Sequence, residues 1–315
     1  MSRIDGSASQ SEAIHILGGG AIGAPFSVFL SRAGTQVRLV RTSRGDFHPR
    51  SDEITVDTPF ERVSATVETV SVASLPARIG LVVVACKAYA NPSLAKVLRS
   101  RVVKGPIILL QNGLGVEKPF IEAGFPSVQR AVVYATSQAK GQDRFSFRMI
   151  RESPLGIVAG SERALLASVA TLSTPFMPFR SEPDITPEVW RKTIINSVFN
   201  SICTIMEEDN GLFCRNVAAR EVAEAVVGEC VRLAAVRGVT LAEEEIMDSI
   251  LSISGRSTQL ISTLQDVRAG RPTEMRFLNE ELARLAGCNP RVDMKATSLL
   301  AKLVEAKVGE RSSVD

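Results

Sequence analysis

Histidine is scarce in this chain, and so are the signatures of several common functional sites. Among 315 residues there are only two histidines, His15 inside an apolar run and His48 in a polar stretch. Neither position is typical of a proton carrier or a metal ligand, so acid–base chemistry would have to come from another residue type. The five cysteines are an odd number with no CxxC pair among them. We therefore expect reduced thiols and no metal site.

Long apolar runs and strong charge are also missing. No run approaches the roughly 20 apolar residues that a membrane span needs, and the first 12 residues lack the apolar core of a signal peptide. The formal net charge is only +3, which is too small to indicate nucleic acid or an anionic membrane as a partner. These features predict a cytoplasmic protein with a short, loose leader at residues 1–12.

Two patterns divide the rest of the chain. The first half alternates helical or loop segments with short apolar runs, namely AIHIL, QVRLV, LVVVA, PIILL and RAVVYA. Such runs are typical of a parallel sheet covered by helices on both faces. Four prolines then fall between residues 174 and 187, and the remainder follows a nearly continuous amphipathic helical pattern. We predict an α/β Rossmann-type, doubly wound parallel sheet at residues 13–180 and an all-α domain at residues 187–315.

The segment ILGGGAIGAPF carries glycines in G-x-G-x-x-G spacing between an apolar strand and an amphipathic helix. In that setting the first glycine permits a tight turn, the second lets a pyrophosphate approach, and the third lets the helix pack closely. The alternative is a glycine-rich turn kept for packing. The predicted cofactor-binding residues of the loop are Gly18, Gly20, Ala21, Ile22 and Gly23.

The residues after the second predicted strand bear on the choice of cofactor. The segment VRLVRTSRG offers Arg41 and Arg44 but no acid. NAD sites usually place an acid there for the ribose hydroxyls, whereas arginines suit a 2′-phosphate. NADP(H) is therefore favoured, unless both arginines are solvated loop residues. Lys87 and Asn112 end two further strands and are expected on the nicotinamide side, although Asn-Gly is also a common turn dipeptide.

A polar stripe interrupts the apolar segment WRKTIINSVFN. Lys192, Asn196 and Asn200 recur at steps of four, so they share one face of a helix. A lysine whose pKa is lowered by burial can protonate the alkoxide formed in a carbonyl reduction, and asparagines can bind substrate oxygens. Alternatively, the lysine reaches water and the asparagines bond neighbouring helices. Glu274, in the first turn of a later predicted helix, either supports this chemistry or complements the helix dipole.

In order and spacing, the segments GGGAIG, CKA, LLQNG, RKTIINSVFN and LQDVRAGRPTE resemble the ketopantoate reductase (2-dehydropantoate 2-reductase) family. The resemblance implies a Rossmann domain joined to a helical domain. It also implies NADPH-dependent reduction of 2-dehydropantoate to pantoate, on the route to pantothenate and coenzyme A. Lys192 then corresponds to the general acid and Glu274 to the glutamate that supports it. The positions that correspond to substrate contacts or site ordering are Asn112, Asn196, Asn200 and Ser262, and Lys87 corresponds to a cofactor-side lysine.

The chain departs from the family pattern after Glu274, where Met275 and Arg276 replace Ile-Asp and Glu280 later replaces a glycine. These departures keep open a second interpretation, a related reductase acting on a different 2-oxo acid. A third is a non-catalytic NADP-binding sensor, which would not need Lys192. The expected partner is a small 2-oxo acid, with neither nucleic acid nor membrane. The sequence leaves the oligomeric state open, with a homodimer among the arrangements it allows.

Overall fold

The computed structural model describes residues 13–42, 45–287, 289 and 292–312. The chain divides into two compact units, Met1–Gln111 with Pro119–Pro183, and Asn112–Lys118 with Asp184–Asp315. Residues 112–118 fall within the predicted first domain but pack with the second unit. The predicted leader at residues 1–12 lies outside the described residues, and the domain bounds 13–180 and 187–315 stay a prediction.

The first unit is built on one large sheet. The strands of this unit are β1 Ile14–Leu17, β2 Val37–Arg41, β3 Arg50–Asp57, β4 Arg62–Ser71, β5 Arg78–Ile79, β6 Val82–Val84, β7 Val102–Val103, β8 Ile107–Leu109, β9 Val128–Ala131, β10 Ala135–Gly141, β11 Arg144–Met149, β12 Ser153–Ala159 and β13 Phe179–Glu182. The strand order of the large sheet is β10-β11-β3-β4-β2-β1-β6-β8-β9-β12-β13, and β5 and β7 form a separate parallel pair.

The centre of this sheet is parallel, from β4 through β2, β1, β6 and β8 to β9. Every residue of β1, β6 and β8 is buried, as expected for parallel strands covered on both faces. The chain runs from β1 out to β2 and returns on the other side of β1 as β6. This reversal makes a topological switch point, and ligands of open α/β sheets bind at the strand carboxyl ends beside such a point.

The sheet is larger and more mixed than predicted. The antiparallel pairs β3–β4, β10–β11 and β9–β12 add to its parallel centre. The run RAVVYA, predicted as one strand, is split between the end of β9 and the start of β10. Strands with one solvated face alternate in polarity, so a search for continuous apolar runs misses them. The predicted class, an α/β Rossmann-type parallel sheet plus a helical unit, is confirmed, and the three antiparallel pairs are additions to a mostly parallel sheet.

The described residues of the second unit form helices joined by loops, with no strand among them. A π-helical segment, Phe199–Cys203, joins two of its helices, and a 3₁₀ turn, Met275–Phe277, precedes another. The α-helices of the chain are α1 Gly23–Arg32, α2 Asn91–Arg99, α3 Lys118–Glu122, α4 Glu162–Leu172, α5 Thr186–Val198, α6 Thr204–Met206, α7 Leu212–Arg215, α8 Val217–Val236, α9 Glu243–Arg256, α10 Ser262–Arg268, α11 Asn279–Ala286 and α12 Lys295–Ser312.

Three helix starts in the second unit show ordinary helix-end chemistry. Pro187 lies in the first turn of α5, where its missing N–H costs no helical hydrogen bond. The side chain of Asn216 accepts from the backbone N–H of Ala219 and so caps α8. The buried carboxylate of Glu229 accepts from two backbone N–H groups, those of Ala296 and Thr297, at the start of α12. Within the described residues, no helix is both long and apolar enough to span a bilayer.

The described cysteines are free thiols in different surroundings. Cys203 and Cys230 are buried, and burial raises the pKa of each to about 12. Cys86 is partly buried and Cys214 is exposed. Cys288 lies outside the described residues.

Candidate active site

The glycine loop of residues 18–23 is shaped by two close backbone approaches. Gly18 has a φ of +117°, and a Cβ there would lie 2.4 Å from the backbone nitrogen of Cys86. A Cβ on Gly23 would lie 1.9 Å from the carbonyl oxygen of Gly18. Glycine is therefore required at both positions, first for the turn and then for the approach of α1 to that turn.

Gly20 differs from these two glycines. A Cβ at Gly20 would meet no atom of the described chain within 4 Å. The open space lies at the start of α1, where Gly20 O accepts from Ala24 N at 3.0 Å. Unpaired N–H groups at a helix N-terminus favour an anion such as a phosphate. The loop thus fits a dinucleotide pyrophosphate, and the assignment of Ala21 and Ile22 to the same site stays a prediction.

Arg41 ends β2, and its guanidinium is nearly enclosed. Nη1 donates to Gly19 O at 2.9 Å, and Nη2 donates to Asp143 Oδ1 at 2.5 Å. Asp52 Oδ2 lies 3.8 Å from Nη2. The NADP(H) prediction depends on the lack of an acid directly after β2 in the sequence. In the structure, two acids from elsewhere in the chain lie beside Arg41. Arg44 lies outside the described residues.

Sequence reasoning missed Asp143 and Asp52 as neighbours of Arg41. Asp143 is 102 positions from Arg41 along the chain, in the turn between β10 and β11. The β10–β11 hairpin also supports the glycine loop directly, because the Ser137 hydroxyl donates to Ala21 O. No local sequence motif predicts these contacts, because they depend on the pairing of β11 with β3. The one sequence signal for β3 is the alternating polarity of residues 53–57.

The carboxyl ends of β6 and β8 are tied together by a side-chain pair. Gln111 Nε2 donates to Cys86 O at 2.7 Å and to Asn91 Oδ1 at 2.8 Å, and Asn91 Nδ2 donates back to Gln111 Oε1 at 2.7 Å. Lys87 follows Cys86 and is partly buried just before the 3₁₀ turn Ala88–Ala90. The pair fixes the backbone that carries Lys87, and the cofactor-side role of this lysine stays a prediction.

Asn112 begins the short segment that belongs to the second unit. Leu114 N donates to Phe277 O at 2.9 Å. Gly113, with a φ of +93°, lies so close that a Cβ would be 2.3 Å from Phe277 O. Phe277 ends the 3₁₀ turn that directly follows Glu274. The structure thus brings the segments of Asn112 and Glu274 together, although they are far apart in sequence.

An ion pair holds the other end of this segment. Lys118 Nζ lies 2.9 Å from Glu281 Oε1 on α11, and Arg284 also donates to Glu281. Burial raises the pKa of Glu281, but the hydrogen bonds from Arg284 and Lys118 outweigh it and leave the pKa below its ordinary value. The charged carboxylate therefore anchors residues 112–118 to α11.

The polar stripe crosses a change of helix type. Lys192 and Asn196 lie on α5 and are partly buried, whereas Asn200 is buried in the π-helical segment. The stripe, predicted on one face of a helix, therefore continues from an α-helix into a π-helical turn. The Ser201 hydroxyl donates to Ser197 O at 2.6 Å, a side-chain bond of the kind that bends helices. Single π-helical turns are frequent at functional sites.

Asn200 joins the stripe to the start of α10. Its Oδ1 lies 3.4 Å from both the Ser262 hydroxyl and the backbone nitrogen of Thr263. Both contacts use the carbonyl oxygen, and no hydrogen bond within the described residues engages the Nδ2 donor. Two predicted substrate residues, Asn200 and Ser262, are thus in contact, with an amide donor available for a further acceptor.

Glu274 is partly buried and precedes the 3₁₀ turn Met275–Phe277. The predicted position in the first turn of an α-helix was wrong, because α11 starts only at Asn279. A three-residue turn has little dipole to complement, which weakens that alternative for Glu274. Arg276 is exposed on the same turn.

Two sequence profiles of one family match the chain. The profile described as ketopantoate reductase PanE/ApbA matches residues 14–159, and that of the family's C-terminal part matches residues 184–308. The chain belongs to the ketopantoate reductase family. This membership covers the glycine loop, the polar stripe and Glu274, and it places the chain in a family of oxidoreductases.

A named relative agrees with this assignment, and solved structures share the fold. The 2-dehydropantoate 2-reductase of Pyrobaculum aerophilum is 26% identical over 272 residues, covering 84% of this chain and 88% of that protein. A D-mandelate dehydrogenase with NADH and anilino(oxo)acetate has a TM-score of 0.82 at 19% identity, over 95% of this chain and 98% of the other. A dimeric ketopantoate reductase from Staphylococcus aureus has a TM-score of 0.78 at 19% identity, over 95% and 99%. At such identities the structures show the fold alone.

Proposed function

We propose that this protein reduces the keto group of a 2-oxo acid with a reduced nicotinamide dinucleotide, and that 2-dehydropantoate is the substrate. Family membership and the name of the Pyrobaculum aerophilum relative support the substrate. The observation that carries the proposal is the contact of Asn200 with Ser262 and Thr263. It joins the polar stripe to a second element and leaves an amide donor for a substrate oxygen.

The cofactor assignment has its own support. Gly20 borders open space at the start of α1, and the solved D-mandelate dehydrogenase of the same fold contains NADH. When bound, the reduced nicotinamide supplies the hydride. The sequence favours NADP(H), whereas the carboxylates around Arg41 weaken that argument. The proposal therefore requires a nicotinamide dinucleotide of either kind.

The protein residues supply the proton and the orientation of the substrate. As the carbonyl carbon gains hydride, the carbonyl electron pair moves to oxygen, and Lys192 Nζ donates the proton that completes the alcohol. Asn196 and Asn200 offer hydrogen bonds to substrate oxygens without carrying a charge that competes for this proton. Glu274 is assigned to hold the substrate hydroxyl or the lysine. Asn112 and Ser262 complete the substrate contacts.

One assay tests the proposal directly. The protein is mixed with NADPH or NADH and a panel of 2-oxo acids that includes 2-dehydropantoate and the 2-oxo acid corresponding to mandelate. Consumption of the reduced cofactor with 2-dehydropantoate at the highest kcat/KM of the panel is the expected result. A higher kcat/KM with another 2-oxo acid would favour the related-reductase interpretation, for which Arg276 and Glu280 are the departures. Cofactor binding without turnover of any acid would favour a sensor.

The assembly is part of the proposal. The Staphylococcus aureus ketopantoate reductase is described as dimeric, and we propose a homodimer here. Size-exclusion chromatography with light scattering distinguishes a dimer from a monomer of 33.9 kDa.

A further inference from the structure

We propose that Asp143 is a specificity residue that selects a free 2′-hydroxyl, and hence NADH, over the 2′-phosphate of NADPH. The inference rests on the proposed function, because it requires the first unit to bind a nicotinamide dinucleotide. It concerns the carboxyl end of β2, where the adenosine ribose lies in doubly wound dinucleotide folds.

The positive charge of Arg41 is already balanced by neighbouring carboxylates. Its side chain is 10% exposed and donates to Asp143, whose side chain is 16% exposed. Asp52, 3.8 Å away, is already paired with Arg50 at 2.8 Å. In the described part of this site, two arginines face two aspartates, and the nearest carboxylate to Arg41 is that of Asp143.

A 2′-phosphate at this position would meet opposing effects. To bond Arg41 Nη2 it would have to displace Asp143, and its negative charge would then face that displaced carboxylate. The side chains of Arg41 and Asp143 are largely buried. Solvent therefore screens the repulsion between the phosphate and the carboxylate less than at an open surface. A 2′-hydroxyl is favoured at the same place, because it can donate a hydrogen bond to the carboxylate of Asp143, which would repel a phosphate. Asp143 therefore takes the place of the acid that usually follows β2 in NAD sites, although it belongs to the distant β10–β11 hairpin.

The sheet holds the backbone of Asp143 through a contact that does not involve Arg41. The backbone nitrogen of Thr55 on β3 donates to Asp143 O at 2.9 Å. The φ of Asp143 is +53°, a left-handed conformation that aspartate and asparagine tolerate better than most residues. Asp143→Asn should therefore keep the turn and remove only the charge.

The test compares dinucleotide affinities by isothermal titration calorimetry, without any 2-oxo acid. The parent protein should bind NADH at least as tightly as NADPH. Asp143→Asn should shift the ratio of the two dissociation constants toward NADPH by about tenfold or more, as expected when a charged contact becomes available to the phosphate. Asp52→Asn should shift it in the same direction by less, because Arg50 already neutralises Asp52.

Asp57→Asn is the matched control. It removes the same charge from the same region, but Asp57 pairs with Arg62 and Arg144. Tighter binding of NADPH than NADH by the parent would overturn the proposal. So would a ratio in Asp143→Asn that moves no further than in Asp57→Asn, or a larger shift in Asp52→Asn than in Asp143→Asn. If the parent binds neither dinucleotide, the proposed function itself fails, and that outcome is distinct from an unchanged ratio.

Discussion

Two glycines of the same loop should respond in opposite ways to an added side chain. Gly23→Ala places a methyl group 1.9 Å from Gly18 O and 3.1 Å from Ala85 Cβ. Gly20→Val places a branched side chain where no protein atom lies within 4 Å of the Cβ. We expect the first change to damage the fold, and the second to spare the fold and block the pyrophosphate.

The magnitudes follow from what each methyl group meets. At Gly23 the obstacle is backbone, so α1 must move away from the turn. Overpacking of this kind costs about 1–3 kcal/mol, and a contact this short falls at the upper end. For a unit of this size each kcal/mol lowers Tm by about 2–4 °C, so Gly23→Ala should lower Tm by about 6–12 °C. Gly20→Val should change stability by no more than about 1 kcal/mol, as surface substitutions generally do.

Two measurements separate these effects. Thermal unfolding followed by circular dichroism, without cofactor, reports stability. Calorimetric titration with NADH and NADPH at a temperature where both variants are folded reports binding. Gly20→Val should bind neither dinucleotide measurably, and its Tm is the control for adding a side chain to the same loop.

The reasoning would be refuted by either of two results. An unchanged Tm in Gly23→Ala would show that α1 does not need its close approach to Gly18. Unchanged NADH and NADPH affinity in Gly20→Val would show that the open space beside Gly20 is not the pyrophosphate site and that the loop is a packing turn.

Two further predictions concern the second unit. Asn200→Ala should raise the KM for the 2-oxo acid more than it lowers kcat, since it removes a hydrogen-bond donor and loosens the start of α10; a change confined to kcat in steady-state kinetics would contradict this role. Glu281→Gln should change how stability depends on pH in the acid range. The pKa of Glu281 is lowered in the folded state. The carboxylate therefore stabilises the fold above the ordinary carboxyl pKa, and this contribution is lost as pH falls through the folded-state pKa. Urea unfolding between neutral and acid pH should therefore show the parent losing its advantage over Glu281→Gln as pH falls, and a constant difference would contradict the assignment.

The centre of the fold was predictable because its signals are local. Buried parallel strands need continuous apolar runs, and the runs that became β1, β6 and β8 are of this kind. Gly18 is required by the positive φ of its turn and Gly23 by the carbonyl oxygen of Gly18 a few residues earlier, which is why spacing alone predicts them. The helical second unit was equally predictable, because the sequence after Pro187 shows helical periodicity.

The remaining features depend on pairings that no local pattern records. Asp143 reaches Arg41 only because the β10–β11 hairpin pairs with β3, and half-exposed strands of this sort lack a continuous apolar run. The sequence therefore pointed to an unopposed arginine where the structure has an ion pair. The π-helical turn at Asn200 is another example, because helical periodicity predicts which face a residue takes but not a local widening.

Lys192→Ala tests the central claim most directly. The variant and the parent are compared in steady-state consumption of saturating reduced nicotinamide cofactor with 2-dehydropantoate, and Lys302→Ala on α12 serves as a lysine control in the same unit. If Lys192 donates the proton to the ketone oxygen, kcat in Lys192→Ala should fall by at least about 100-fold, while calorimetric cofactor affinity stays within the range of the control. A folded Lys192→Ala variant that turns over within a few-fold of the parent would contradict the account and show that the polar stripe is structural.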